Sequence, residues 1–143
     1  MRKFILLLVM LVSVTAFSQT AYKGQGDQKI SAGVNPLGNR NSLKLTYDYG
    51  ISEPFSIGAG VSLITGGKYS EDFYIYARGD FHFASYLEIP RQWDLYTGAE
   101  LGAIGSETFN IGFHIAARYA ITNSIAVYTE LGSNGAIGVS FSL

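Results

Sequence analysis

The chain contains no cysteine. That excludes a disulfide framework, a thiolate metal site and a cysteine nucleophile. Charge is scarce too: Asp, Glu, Lys and Arg make up 15% of the 143 residues, and the formal net charge is −1. So balanced and charge-poor a chain has no electrostatic footprint for nucleic acid. Only 3 prolines interrupt it, and its length allows one domain. Long apolar runs are missing as well. The run Phe4 to Val12 has nine residues, far short of the roughly 20 that a membrane-spanning helix needs. What the chain does have is 17 Gly, 10 Tyr and 9 Phe. A soluble helical protein would carry more Ala, Leu, Glu and Lys. The balance points to an all-β domain.

The N-terminus reads as an export signal. Arg2 and Lys3 form a basic start, Phe4 to Val12 is apolar, and Ser13 to Ser18 is mostly small or polar. This is the three-part pattern of a secretory leader. Ala16-Phe17-Ser18 supplies small residues at both positions that a signal peptidase reads, so residues 1–18 are expected to be removed and residues 19–143 to form the mature domain. Removal leaves 8 basic against 11 acidic residues, a net charge of −3. With no helix able to span a bilayer, insertion into a membrane would require a closed barrel.

After a polar stretch from Thr20 to Asp27, hydrophobicity alternates with period two almost to Leu143, the strand signature. Eight apolar sets follow one another: Ile30 to Val34, Leu43 to Tyr49, Phe55 to Leu63, Phe73 to Phe83, Trp93 to Leu101, Phe109 to Tyr119, Ile125 to Leu131 and Ile137 to Leu143. Turn signals separate them at Asn35–Asn39, Ser52–Pro54, Thr65–Lys68, Glu88–Arg91, Gly105–Glu107, Thr122–Ser124 and Ser133–Gly135. The expectation is an antiparallel, up-and-down, eight-stranded β-barrel.

Period two fits a soluble sandwich as well as a membrane barrel, and three features separate them. Every strand charge (Lys29, Lys44, Asp48, Arg78, Asp80, Asp94, Glu100, Arg118, Glu130) lies opposite the apolar set. A charge on a lipid face would cost about 2–4 kcal/mol at the midplane. The polar face mixes glycines such as Gly58, Gly60 and Gly98 with Tyr74, Tyr76, Tyr96 and Tyr128, a small-and-large filling suited to a narrow lumen. Bulky aromatics of the apolar face (Tyr47, Tyr49, Phe55, Phe81, Phe83, Trp93, Tyr119, Phe141) gather at one rim, as an interfacial girdle does. The transmembrane barrel is the reading that meets all three.

On the segments Tyr49-Gly50-Ile51-Ser52-Glu53-Pro54-Phe55-Ser56-Ile57-Gly58 and Ala136-Ile137-Gly138-Val139-Ser140-Phe141-Ser142-Leu143, the chain resembles small eight-stranded outer-membrane β-barrel proteins of Gram-negative bacteria, of the OmpA/OmpX transmembrane type. The resemblance covers essentially the whole of residues 19–143. It implies an outer-membrane location, with outer-membrane lipids and the barrel-insertion machinery as partners. In that family the last strand usually ends on an aromatic residue. Here Leu143 is terminal and Phe141 stands two residues earlier on the same face.

Little candidate chemistry survives. The inward charges read as a paired network filling a narrow barrel, with a proton or ion path as the rival. His82 and His114 face inward on strands that are not neighbours, and without cysteine or a His-rich spacing they point to hydrogen bonding and not to metal. Some barrels of this size modify lipid A with Ser, His and an acid on the lipid-facing side, and neither histidine is on that side. Gly66-Gly67-Lys68 lacks the rest of a phosphate loop. Arg78-Gly79-Asp80 is an adhesion tripeptide only in letters, because mid-strand its side chains alternate between faces. The loops at the other rim (Asn35 to Asn41, Thr65 to Glu71, Gly105 to Glu107, Ser133 to Gly135) are short for a receptor or adhesin. The expectation is a monomeric, non-enzymatic envelope protein with no catalytic, cofactor or metal residue. Its rivals are a narrow channel, a lipid-modifying enzyme and a soluble lipocalin-like carrier.

Overall fold

A computed structural model describes residues 2–5, 20–35, 41–65, 72–104 and 108–143. The leader expected at 1–18 and the Gly66-Gly67-Lys68 motif fall almost wholly outside the described residues, as do most of the loops at 36–40, 66–71 and 105–107. Eight strands follow in order: β1 (Gln28–Val34), β2 (Asn41–Gly50), β3 (Phe55–Thr65), β4 (Asp72–His82), β5 (Trp93–Ile104), β6 (Thr108–Ala120), β7 (Ile125–Gly132) and β8 (Ala136–Ser142). Each pairs antiparallel with its sequence neighbours, and β1 pairs with β8 from Lys29↔Ser142 to Val34↔Ile137. The barrel is closed, so no strand edge is left to recruit another chain.

Alternation of side chains decides what each face carries. Along β2, Lys44, Thr46 and Asp48 are buried while Leu43, Leu45, Tyr47 and Tyr49 are exposed. The same phase runs round the barrel. The lumen receives the charges, and aliphatic and aromatic side chains stand outside: Ile57, Ile75, Leu101, Ile111, Phe113 and Leu131 are all about half exposed or more. The girdle aromatics meet at one rim, where Phe55 packs on Phe81 and Trp93 on Tyr119 with ring centroids 5.4 and 4.9 Å apart. That rim, which also carries both ends of the barrel and the β2–β3, β4–β5 and β6–β7 connections, is called the turn end here.

Two of its turns are built alike. Ser52 and Thr122 each accept, through the side-chain hydroxyl, the amide three residues on, at Phe55 and Ile125. Such hydroxyl–backbone bonds favour turns over continued strand. The third connection departs from expectation. β4 ends at His82 and not at Phe83, and a short 3₁₀ helix (Ala84–Leu87) precedes the expected turn residues. Glu88 ends that helix in the left-handed region at φ 55°.

Tyrosine and glycine interlock inside. A Cβ at Gly33 would meet the Tyr128 hydroxyl, and one at Gly60 would run into Tyr76. Large rings on one strand therefore lie where a facing strand has no side chain. This fills the lumen without forcing rotamers.

Candidate functional site

Two layers of polar side chains fill the lumen, with Tyr96 between them. Tyr96 is 1% exposed. The Arg78 guanidinium carbon lies 5.7 Å from its ring centroid and that of Arg118 4.9 Å, both within cation–π range.

In the layer toward the loops, Arg78 is the hub. Its Nε donates to Asp80 at 2.9 Å, and Nη1 and Nη2 donate to the two oxygens of Glu130 at 3.1 and 3.0 Å. This is the bidentate fork that suits guanidinium to carboxylate. His114 bonds Asp80 through Nε2. Lys44 donates to the Asn134 carbonyl at 2.9 Å and lies 3.6 Å from Glu130 and 4.0 Å from Glu100.

The layer at the turn end runs Ser56–His82–Asp94–Arg118–Ser140–Ser31. Ser56 Oγ lies 2.8 Å from His82 Nε2, and His82 Nδ1 lies 2.7 Å from Asp94 Oδ1. Arg118 Nη1 donates to Asp94 Oδ2 at 3.1 Å and its Nε to Ser140 Oγ at 3.1 Å, with Ser31 completing the row at 2.8 Å. Ser56, His82 and Asp94 come from β3, β4 and β5, beside two turns. Every one of the nine expected inward charges is buried, and both histidines with them.

The polar stretch Thr20–Asp27, expected only as a tail, is a strap folded into the turn end. The Ala21 amide donates to the Arg91 carbonyl at 2.9 Å, and the Gly26 amide to the Gly50 carbonyl at 2.8 Å. Gly24 and Gly26 supply the positive φ that this reversal needs, at 90° and 86°. Gly50 lets the strap pass, since a Cβ there would collide with the Gly24 carbonyl. Tyr22 lies flat on His82, ring centroids 3.6 Å apart and planes within 4°. Its hydroxyl contacts the carbonyls of Ser52 and Phe55 at 2.7 and 2.8 Å. Burial, then the nearby carboxylates led by Asp27, push the Tyr22 phenol well above its usual range. Asp27 is a sixth buried acid not among the expected inward charges, paired with Lys29 at 2.8 Å.

Around Tyr22, Asp48, His82 and Arg118 the packing leaves no room for a water-sized sphere. Outside the strap lies a vestibule of about 480 Å³ whose walls include Tyr22, Lys23, Arg91, His82 and Asp94. Among the described residues no group of three or more His, Cys, Asp or Glu is placed to hold a metal. Arg78 and Asp80 point inward and Gly79 outward, so the tripeptide presents no adhesive face. Both histidines are buried in the lumen and not on the outer face. A Ser–His–acid row does form in the lumen. Its sequence signal was the shared inward phase of Ser56, His82 and Asp94 next to consecutive turns.

No protein-family model matches the chain, and no curated protein matches it by sequence. Among solved structures, one from the de novo design of transmembrane β-barrels aligns at TM-score 0.74, covering 85% of this chain and 98% of its own, with 16% identity. At that identity the likeness establishes the eight-stranded closed barrel, and the fold alone.

Proposed function

We propose that the chain is a small outer-membrane β-barrel protein of the Gram-negative envelope, exported by residues 1–18 and resembling the OmpA/OmpX type of transmembrane domain. Its role is that of a structural or surface protein, carried by the scaffold and not by turnover. The observation that carries this reading is the outer face. All nine charged strand residues whose side chains are described point inward, while apolar side chains on the outer face are exposed all the way round. In water such a belt would be a large aggregation surface; in a bilayer it is the ordinary lipid contact. Strands of 7–13 residues bracket the roughly 9–11 residues that a tilted strand needs to cross. The aromatic turn end faces the periplasm on this reading, and the lipids and the insertion machinery are its partners.

The filled lumen argues against the channel reading, because an eight-stranded barrel has room for little beyond its own side chains. Planar-bilayer recording of the folded protein tests this. The expected result is no unitary conductance above the membrane baseline. Discrete conductance steps would make the protein a channel instead.

A further inference from the structure

The scaffold reading gives the row Ser56–His82–Asp94 no task beyond packing, yet its geometry is that of an activated hydroxyl. Asp94 takes the Nδ1 side of the imidazole at 2.7 Å, which leaves the Nε2 lone pair to the Ser56 hydroxyl at 2.8 Å. That tautomer lets His82 accept the serine proton. Asp94 cannot turn away, because Arg118 holds its other oxygen at 3.1 Å. All three side chains stand on paired strands, so the row is rigid. Ser56 itself is 3% exposed. The vestibule reaches His82 and Asp94 but not Ser56, and the Tyr22 ring covers the imidazole between them.

We propose that Ser56 is a latent acylation site: a nucleophile that small activated acyl donors, esters or thioesters, modify once the strap lifts Tyr22 off His82. Ser56 Oγ attacks the acyl carbon while its proton passes to His82 Nε2. The bond from the acyl carbon to the alkoxide or thiolate then breaks. The departing group takes the proton from His82, giving acyl-Ser56 and an alcohol or thiol. No oxidant or reductant is involved. Asp94 is a positioning residue, and Tyr22 is the cover.

The site is built for one acylation and not for rapid turnover. Ser56 sits between Gly50 of β2 and Asp80 of β4, and strand amides in such ladders are spent on their neighbours. An oxyanion hole needs free donors, and lacking one donor alone costs about 10²–10³ in rate. Slow, stoichiometric modification is therefore the expected behaviour, which adds a reactive group to the scaffold without making it a turnover enzyme.

A fluorophosphonate probe tests this on the full chain folded in detergent micelles. The Oγ–P bond forms, the P–F bond breaks, fluoride leaves, and His82 takes the proton. Peptide mass spectrometry should place the adduct on Ser56, forming slowly in the unaltered protein and at least about tenfold faster in Tyr22→Ala. Ser56→Ala should abolish it, and His82→Gln should slow it by about 10²-fold or more, the usual range for losing a general base. Heat-modifiable gel migration confirms separately that each variant is a folded barrel. If Tyr22→Ala does not fold, Tyr22→Phe keeps the ring but loses the two hydroxyl contacts that pin it, and should also label faster. A folded Tyr22 variant without a Ser56 adduct would overturn the proposal. So would labelling that is unchanged in His82→Gln.

Discussion

Arg78 shows how a single residue carries part of the barrel's stability. It serves Asp80 and both oxygens of Glu130 from a fully buried position. Arg78→Met keeps much of the volume but takes the guanidinium from Asp80 and Glu130, leaving His114 and Lys44 beside them; breaking a buried pair in this way costs about 3–5 kcal/mol. Urea titration of the folded gel band should read that loss, and a change under 1 kcal/mol (about a fivefold shift in the equilibrium) would show the network to be ornamental. Glycine gives a paired contrast. A Cβ at Gly138 would enter the Ala32 carbonyl of the neighbouring strand, whereas one at Gly79 would meet nothing within 4 Å. Gly138→Ala should therefore destabilise measurably. Gly79→Ala should be neutral or stabilising by about 0.5–1 kcal/mol, since glycine weakens a strand interior. Alternation revealed which way these side chains point. It could not reveal that Arg78 meets Glu130, 52 residues away, because partners across a lumen depend on closure and register.

At the scale of the element, strands were legible and the strap was not. Period-two hydrophobicity and turn residues give β1 to β8 with nearly their observed limits. The strap from Thr20 to Asp27 has no apolar period. Its order comes from one aromatic ring, two glycines and hydrogen bonds to backbone carbonyls of distant turns, which leave no pattern in a local window. The same holds for the 3₁₀ helix at Ala84–Leu87, where the girdle ring of Phe81 stacks 6.0 Å from Tyr86. That helix ends on Glu88 at φ 55°, a conformation that costs a side-chain-bearing residue about 1–2 kcal/mol and that glycine adopts freely. Glu88→Gly should raise the denaturant midpoint slightly, for a stabilisation of up to about 1 kcal/mol after glycine's greater freedom in the unfolded chain is deducted. A lowered midpoint would mean that the Glu88 side chain has a task at the turn end.

The whole molecule inverts the usual arrangement of a soluble protein. Among the described residues, four buried cations, Lys29, Lys44, Arg78 and Arg118, stand among six buried carboxylates, and His82 and His114 bond two of the latter. Outside, from Ile30 on β1 to Phe141 on β8, the exposed strand residues are mostly apolar, with the uncharged Thr97 and Thr129 among them. The composition that first said only "few charges" is thus divided by face: charges inside, a belt fit for lipid outside. Because the chain lacks cysteine, single cysteines can be placed and spin-labelled without background, and β4 is the strand to scan. In lipid vesicles, labels at Ile75→Cys, Ala77→Cys and Gly79→Cys should collide freely with dissolved oxygen and hardly at all with a water-soluble nickel chelate. Labels at Tyr74→Cys and Tyr76→Cys should be shielded from both. That alternation, reaching its greatest oxygen preference near Ala77, is what a lipid-facing belt requires. Nickel access at Ile75, Ala77 and Gly79 equal to that of an exposed turn would place the belt in water and contradict the account.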